Sequence, residues 1–233
     1  MSMSDKYDEF YSSSQVKEPL CALSVRRWPR NRAEAIIAVE GSGDSILDIG
    51  CGNGHLLYQF ANRFSKLVGL ELSKGRLSQA AINLADFDFV PYLGSAENMH
   101  SIESDSIDRI VSADTIEHIP DLYAATSEMC RVLKPGGIVV INTPNIAFIK
   151  KRITLLLGYF PATSQRNEGL GGDVLFDGGH FHYLTFRSLS LLLVRAGFRI
   201  EKKIGYGPLG RLHNIWPELL SGGAEVVAVK PEH

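Results

Sequence analysis

A chain of 233 residues, 45% apolar and 21% charged, is sized and composed for one packed domain. That excludes a disordered, collagenous or coiled-coil chain. Twenty-four Lys and Arg against 26 Asp and Glu leave a formal charge of -2, which is not the balance of a dedicated nucleic-acid binder. Three cysteines (Cys21, Cys51, Cys130) are too few and too scattered for a disulfide framework or a structural zinc site. They read as free thiols of a reducing compartment. The polar N-terminus lacks an apolar signal-peptide core, and no apolar run approaches the ~18 residues of a membrane span. The expectation is a cytoplasmic protein.

In chain order, residues 21–39 carry apolar residues at helical spacing, interrupted by Pro29 and stopped by Gly41 and Gly43. Residues 1–43 are therefore expected to cap the domain. Strands are predicted at 45–49, 66–72, 88–92, 107–112 and 138–142, with helices at 55–64, 74–84 and 122–133 between them. Continuous β-branched runs separated by helices indicate a parallel sheet covered on both faces. The alternation breaks after Pro144. A helix over 146–157 is both apolar and basic, and 158–183 has no clear period. The stretch 144–184 is expected to be an inserted lid, with Leu155 to Leu157 and Phe160 packing it onto the core; the alternative is that they bind lipid. A helix over 186–196 ends at Gly197, and strands at 198–204 and 225–230 bring the count to seven.

Residues 46–54 read ILDIGCGNG. Gly50, Gly52 and Gly54 permit a strand-to-helix turn that side chains would obstruct, at the place where open α/β sheets bind ligands. A dinucleotide fingerprint requires a sixth-position glycine, and His55 stands there instead. Asp48 beside the turn disfavours a pyrophosphate and suits a cationic ligand. Glu71, at the end of the second strand, is placed to accept ribose hydroxyl protons. The blander reading, a tight turn and nothing more, is outweighed by Asp48 and Glu71 in strand context.

LDIGCGNG (47–54), GLELS (69–73), GSAENM (94–99), IDRIVSADTIEHIPD (107–121) and RVLKPGG (131–137) resemble the class I S-adenosylmethionine-dependent methyltransferases. The resemblance implies an α/β Rossmann-like three-layer sandwich, its seven-stranded sheet mostly parallel with the last strand antiparallel. It implies S-adenosyl-L-methionine as cofactor and S-adenosyl-L-homocysteine as product. Gly50, Gly52 and Gly54 would pass close to the amino-acid part of the cofactor, with Asp48 on its ammonium side. Glu71 would bind the ribose, Ala96 and Glu97 would flank the adenine, and Asp114 and Thr115 would line the methionine end. Cys51 and Leu72 complete the expected cofactor set. Tyr7 and Tyr11 resemble N-terminal tyrosines that cover bound cofactor; as bare residues they are equally aromatic anchors.

Asp114, Glu117 and His118 form D-x-x-E-H where the fourth strand ends. An imidazole titrates near neutrality, so His118 is the candidate general base. The trio resembles the E-x-x-E-H site of ubiquinone-type O-methyltransferases, where a divalent cation is implied, with Asp one methylene shorter at the first position. The alternative is that Glu117 and His118 cap and orient the next loop. His180 and His182 flank Phe181, and in an extended chain their imidazoles share one side. They are either catalytic groups on the lid or histidines bonding local backbone, and a three-histidine metal site with His118 is a further alternative.

NIAFIKKRITLLLGYFP (145–161) and HFHYLTFRSLSLLLVRAGF (180–198) resemble a branch associated with glycan, lipid or O-antigen modification. Lys150, Lys151 and Arg152 suit an anionic acceptor, a membrane surface or simply solvent. Arg26, Arg27, Arg30 and Arg32 around Trp28 make an anion or stacking site, or a solvated basic stretch. The expected activity is O-methylation of a small-molecule or glycan acceptor by one domain, monomeric or homodimeric, without nucleic acid. N- or C-methylation and a non-catalytic cofactor-binding regulator of the same fold are the alternatives.

Overall fold

The computed structural model describes residues 19–39, 41–164, 167–170 and 173–232. Among them are nine strands: β1 (Gly43–Ile49), β2 (Phe64–Glu71), β3 (Phe89–Leu93), β4 (Ile107–Ala113), β5 (Leu133–Pro144), β6 (Asn167–Leu170), β7 (Asp173–Asp177), β8 (Arg199–Ile204) and β9 (Gly223–Val229). The helices are α1 (Arg32–Ile37), α2 (His55–Tyr58), α3 (Lys74–Asn83), α4 (Leu122–Val132), α5 (Ile149–Leu156), α6 (Phe186–Arg195) and α7 (Pro217–Leu220). Seven strands pair in the order β3-β2-β1-β4-β5-β9-β8. All pairs through β5 are parallel, and β9 runs antiparallel to both β5 and β8.

From β1 the chain moves outward to β2 and β3, then returns to place β4 on the other side of β1. That reversal opens a crevice at the carboxyl ends of β1 and β4. Strand alternation fills both faces of the sheet. Leu47, Val68, Ile110 and Val139 join one core with Met129 of α4 and Leu189 of α6. Ile46, Leu67, Val111 and Val140 join the other with Ile36 of α1, Leu57 of α2 and Leu77 of α3. Each such buried side chain contributes about 1.5–3 kcal/mol, and the result is three layers.

Several elements differ from their sequence reading. Among the described residues of 21–39, only Arg32–Ile37 (α1) is α-helical; the Asn31 side chain accepts from Glu34 N at 2.9 Å, and Pro29 lies just upstream. The helix expected over 55–64 ends at Tyr58, and Phe64 already begins β2. The aperiodic stretch after 157 contains a small antiparallel ribbon, β6 with β7. Its strands pair only with each other, in a sheet separate from the main one, and no alternation marks them in the sequence.

The segment between β5 and α6 is pinned at its root. Asn145 bridges Leu184, and its side-chain amide donates to Glu218 O (3.0 Å) and Ser221 O (2.9 Å). Its apolar helix does not pack inward. Leu155, Leu156 and Leu157 are 63%, 84% and 68% exposed, and Phe160 is exposed as well. The expectation that these residues anchor the insertion to the core is wrong. Successive helical residues turn by about 100°, so three adjacent leucines cannot share one buried face. Tyr7 and Tyr11 lie outside the described residues. No helix among the described residues is long and apolar enough to cross a membrane.

Candidate active site

The glycine turn follows β1 directly. Gly50 N and Cys51 N both donate to Leu70 O, tying the turn to the end of β2. Gly50 (φ 78°) and Gly52 (φ 55°) adopt left-handed backbone that a Cβ disfavours. A Cβ on Gly50 would collide with the Thr115 hydroxyl, and one on Gly52 with the Arg76 guanidinium. The turn is therefore pressed between the Thr115 and Arg76 side chains. Gly54 closes it with a bond from its N to Cys51 O and starts α2.

Glu71 holds the turn in place. One carboxylate oxygen accepts from Gly52 N (2.9 Å), the other from Leu72 N (2.9 Å) and Ser73 N (3.0 Å). A carboxylate offers about four acceptor sites, so these three bonds leave about one for a ligand hydroxyl. Asp48 is 2% exposed. Burial first, and then the neighbouring Glu71, push its carboxyl up to about 7, while Arg76 and Arg32 act in the opposite sense. A buried acid destabilised in this way is relieved by an incoming cation.

A cleft of about 240 Å³ opens over this turn, with Gly50, Glu71, Arg76, Ala96, Asp114 and His118 among its walls. Leu72, Glu97 and Thr115 also face it. Glu97 is fixed by Ser95 Oγ (2.8 Å) and Asp121 N (2.7 Å), so its carboxylate shapes the loop as well as the wall. Cys51, Asp48 and Arg32 line a second cavity that shares Gly50 and Arg76 with the cleft. Burial pushes the Cys51 thiol well above the usual cysteine range.

His118 sits on the 3-10 turn after β4, and the segment between β5 and α6 reaches over to it. Its Nδ1 lies 3.2 Å from Gly179 O. A carbonyl only accepts, so Nδ1 carries the proton and Nε2 keeps its lone pair. Burial and the neighbouring His180 hold the His118 pKa below the usual histidine value. The two rings meet edge to face with centroids 4.6 Å apart. Thr163 Oγ1 donates to Asp177 Oδ2 at 2.7 Å and has one hydrogen to give, so it accepts from His180 Nδ1 at 2.6 Å. His180 is thereby held in the same tautomer as His118. Phe181 N and His182 N donate to Glu117 O, closing the segment onto the 3-10 turn. Neither His180 nor His182 is among the residues lining the cleft. His180 packs against His118, whereas His182 Nε2 contacts Pro120 O at 3.2 Å, so the two histidines expected on one side have different neighbours.

Glu117 is 1% exposed and its carboxyl is pushed up to about 7, chiefly by burial. Thr143 Oγ1 donates to Oε2 at 2.9 Å, while Oε1 has no partner among the described atoms. Donor atoms of Glu117, His118 and His180 fall within 4.8 Å of one another. Asp114, the third member of the D-x-x-E-H reading, is instead ion-paired with Arg32. Arg76 and Thr163 were not singled out from the sequence, and Arg32, read there only within the basic stretch around Trp28, meets Asp114 instead. Arg76 carried a usable signal, since Ser73 caps α3 through Arg76 N directly after the acidic Glu71. Thr163 carried none, because only the folded segment brings it to His180.

The family described as Methyltransferase domain matches residues 40–171, more than half of the chain. The chain belongs to this family. As a class I methyltransferase domain it is 31% identical over 105 residues to a ubiquinone biosynthesis O-methyltransferase of Alkalilimnicola ehrlichii, covering 44% of this chain and 42% of that one. A Mycolicibacterium smegmatis protein named "probable S-adenosylmethionine-dependent methyltransferase" is 28% identical over 164 residues, 70% of this chain and 55% of the other. The chain thus spans about half the length of these curated relatives. Among solved structures, an S-adenosylmethionine-dependent methyltransferase from Mesorhizobium loti superposes with a TM-score of 0.63 at 21% identity, covering 85% of this chain and 98% of that chain. A Haloferax volcanii methyltransferase solved with the Trm112 activator gives 0.63 at 16% identity, with 86% and 89% covered. These two likenesses concern the fold. The family's cofactor, S-adenosylmethionine, carries two cationic centres, and a cradle with two carboxylates and two side-chain-free turn positions fits it.

Proposed function

We propose that this methyltransferase transfers a methyl group from S-adenosylmethionine to a hydroxyl of a small-molecule or glycan acceptor. The observation that carries the reading is His118: a cleft-lining imidazole whose Nδ1–H is held by Gly179 O, leaving Nε2 to take the acceptor proton. The ubiquinone O-methyltransferase relatives support a hydroxyl as the acceptor group. When bound, the cofactor supplies an electrophilic methyl on a sulfonium. Around it, Gly50 and Gly52 give the backbone close approach, Asp48 faces the cationic end, and the remaining acceptor site on Glu71 takes a ribose hydroxyl. Ala96 and Glu97 flank the base, and Leu72, Asp114 and Thr115 complete the wall. Residues 144–184 act as the acceptor lid of a single domain, delivering His180 and Gly179 to His118. Alignment and exclusion of water then supply much of the rate.

The same cluster supports a variant of this reading. Glu117, His118 and His180 converge closely enough to hold a divalent cation, and the unpartnered Glu117 Oε1 is an available ligand atom. Such a cation would act as a Lewis acid on the acceptor hydroxyl. The decisive experiment is release of S-adenosylhomocysteine from S-adenosylmethionine with a panel of phenolic, sugar and amine acceptors. Hydroxyl-dependent release is expected. Release with amines alone, or cofactor binding without turnover on any acceptor class, would sink the proposal.

A further inference from the structure

The segment between β5 and α6 carries a surface that neither the cofactor cradle nor the histidine cluster uses. None of the residues of α5 is buried. Ile153 is 50% exposed, and Leu155, Leu156 and Leu157 more so, with Tyr159 and Phe160 exposed immediately beyond. Residues 145–164 contain Lys150, Lys151 and Arg152 and no acid, in a chain whose overall formal charge is -2. Lys151 folds back onto Ala162 O, while Lys150 and Arg152 remain exposed. A second exposed apolar stretch stands at Leu209, Leu212, Ile215 and Trp216. Residues 205–216 contain Arg211 and again no acid. The roots of the two stretches are joined, through the Asn145 amide bonds to Glu218 O and Ser221 O.

We propose that this face docks the enzyme on an anionic lipid bilayer, with the leucines of α5 entering the headgroup boundary and Lys150 and Arg152 meeting lipid phosphates. Contiguous exposed apolar area on a soluble domain marks an interaction surface. Two features select a membrane over a protein. Protein interface cores are depleted in lysine, whereas interfacial helices combine apolar residues with Lys and Arg. A fluid lipid layer accommodates leucines exposed to this degree without a matching pocket. Negative headgroups complement the acid-free sequence. Docking there would set the His118–His180 cluster, which the same segment helps to build, beside the lipid phase.

Vesicle co-sedimentation tests this directly. The full chain is mixed with phosphatidylcholine vesicles, or with vesicles in which roughly a third of the lipid is phosphatidylglycerol. Binding at least about tenfold stronger to the anionic vesicles is expected. Leu155→Ser/Leu156→Ser/Leu157→Ser should lower partitioning about tenfold or more. Lys150→Glu/Arg152→Glu should remove the preference for anionic lipid. These side chains leave the two cores untouched, so thermal midpoint and S-adenosylmethionine affinity should stay unchanged and certify the fold. Failure of the unmodified chain to sediment with anionic vesicles overturns the proposal, as does equal binding by the triple-serine variant. Light scattering that shows a dimer, dispersed by the triple-serine change and without vesicle binding, would assign the face to a second copy of the chain and equally overturn it.

Discussion

Arg32, the first residue of α1, is ion-paired with Asp114 at the end of β4. Asp114 adopts a left-handed backbone (φ 46°), a conformation uncommon outside glycine and best tolerated by Asp and Asn. The pair ties the N-terminal cap to the floor of the cleft. Arg32 also lies near enough to hold down the carboxyl pKa of both Asp48 and Glu117. Its side chain is 49% exposed, so the ion pair itself contributes at most about 1 kcal/mol to stability. Arg32→Met is therefore expected to shift the thermal midpoint little while weakening cofactor affinity about tenfold or more, through the lost field at Asp48 and the loosened Asp114. Differential scanning fluorimetry and isothermal titration read the two effects separately. A large stability loss with unchanged affinity would make the pair merely structural.

Glu71 does two tasks, and its variants separate them. Glu71→Ala removes the carboxylate that accepts from Gly52 N, Leu72 N and Ser73 N, at a cost of about 1–3 kcal/mol for a buried donor that water cannot reach. Both stability and cofactor affinity should fall, the latter by about a hundredfold. Gly52→Ala tests the turn alone. It is expected to displace the Arg76 guanidinium from the cleft and to cost about 1–2 kcal/mol for left-handed backbone. Affinity unchanged by both substitutions would remove the cradle assignment.

The parts legible in the sequence were those whose cause is local. Continuous apolar runs around Leu47, Val68, Ile110 and Val139 marked the strands, which are covered on both faces, and the left-handed turn at Gly50 and Gly52 needed glycine. The pairing of Asp114 with Arg32, and of Thr163 with His180, joins residues remote in sequence and leaves no pattern there. The failure at Leu155 to Leu157 has the opposite origin. Apolarity was read as burial, although a run of three adjacent leucines has no single helical face. His182 was misplaced for a related reason: alternation assumes an extended strand, and residues 180–183 are irregular.

Asp48 supplies a pH prediction with a definite sign. Its folded pKa is about 7 against an ordinary value of 3.8, because burial disfavours the charged form. Between those values the folded chain retains a proton that the unfolded chain has released, so this group makes stability fall as pH rises from about 4 to 7. Glu117 acts in the same direction, from 4.5 to about 7. His118 and His180, held below their ordinary value by burial, act oppositely as pH falls through 6.5. The comparison that isolates Asp48 is with Asp48→Asn. The variant's thermal midpoint relative to the parent should rise steadily across that window and level off above it. Saturating S-adenosylmethionine should reduce the difference, since a bound cation favours the ionised acid. A pH-independent difference would contradict the buried-acid account.

The Thr163–His180 contact decides between the two versions of the histidine cluster. If His118 is the general base, it needs a bare Nε2, and His180 serves to orient and desolvate it. His118→Ala should then lower kcat about 100- to 10,000-fold with little change in cofactor affinity. His180→Ala should cost about tenfold, and Thr163→Val, which removes the hydroxyl that fixes the His180 tautomer, somewhat less. Exhaustive chelation, with metal content verified, should leave activity intact. A shared cation makes a different pattern. His118→Ala, His180→Ala and chelation would then be equally severe, and added divalent metal would restore only the chelated parent enzyme. Thr163→Val would in that case weaken metal affinity without shifting kcat at saturating metal. Turnover of these three variants with and without chelator therefore assigns the role of each imidazole, and activity retained in His118→Ala would overturn both versions.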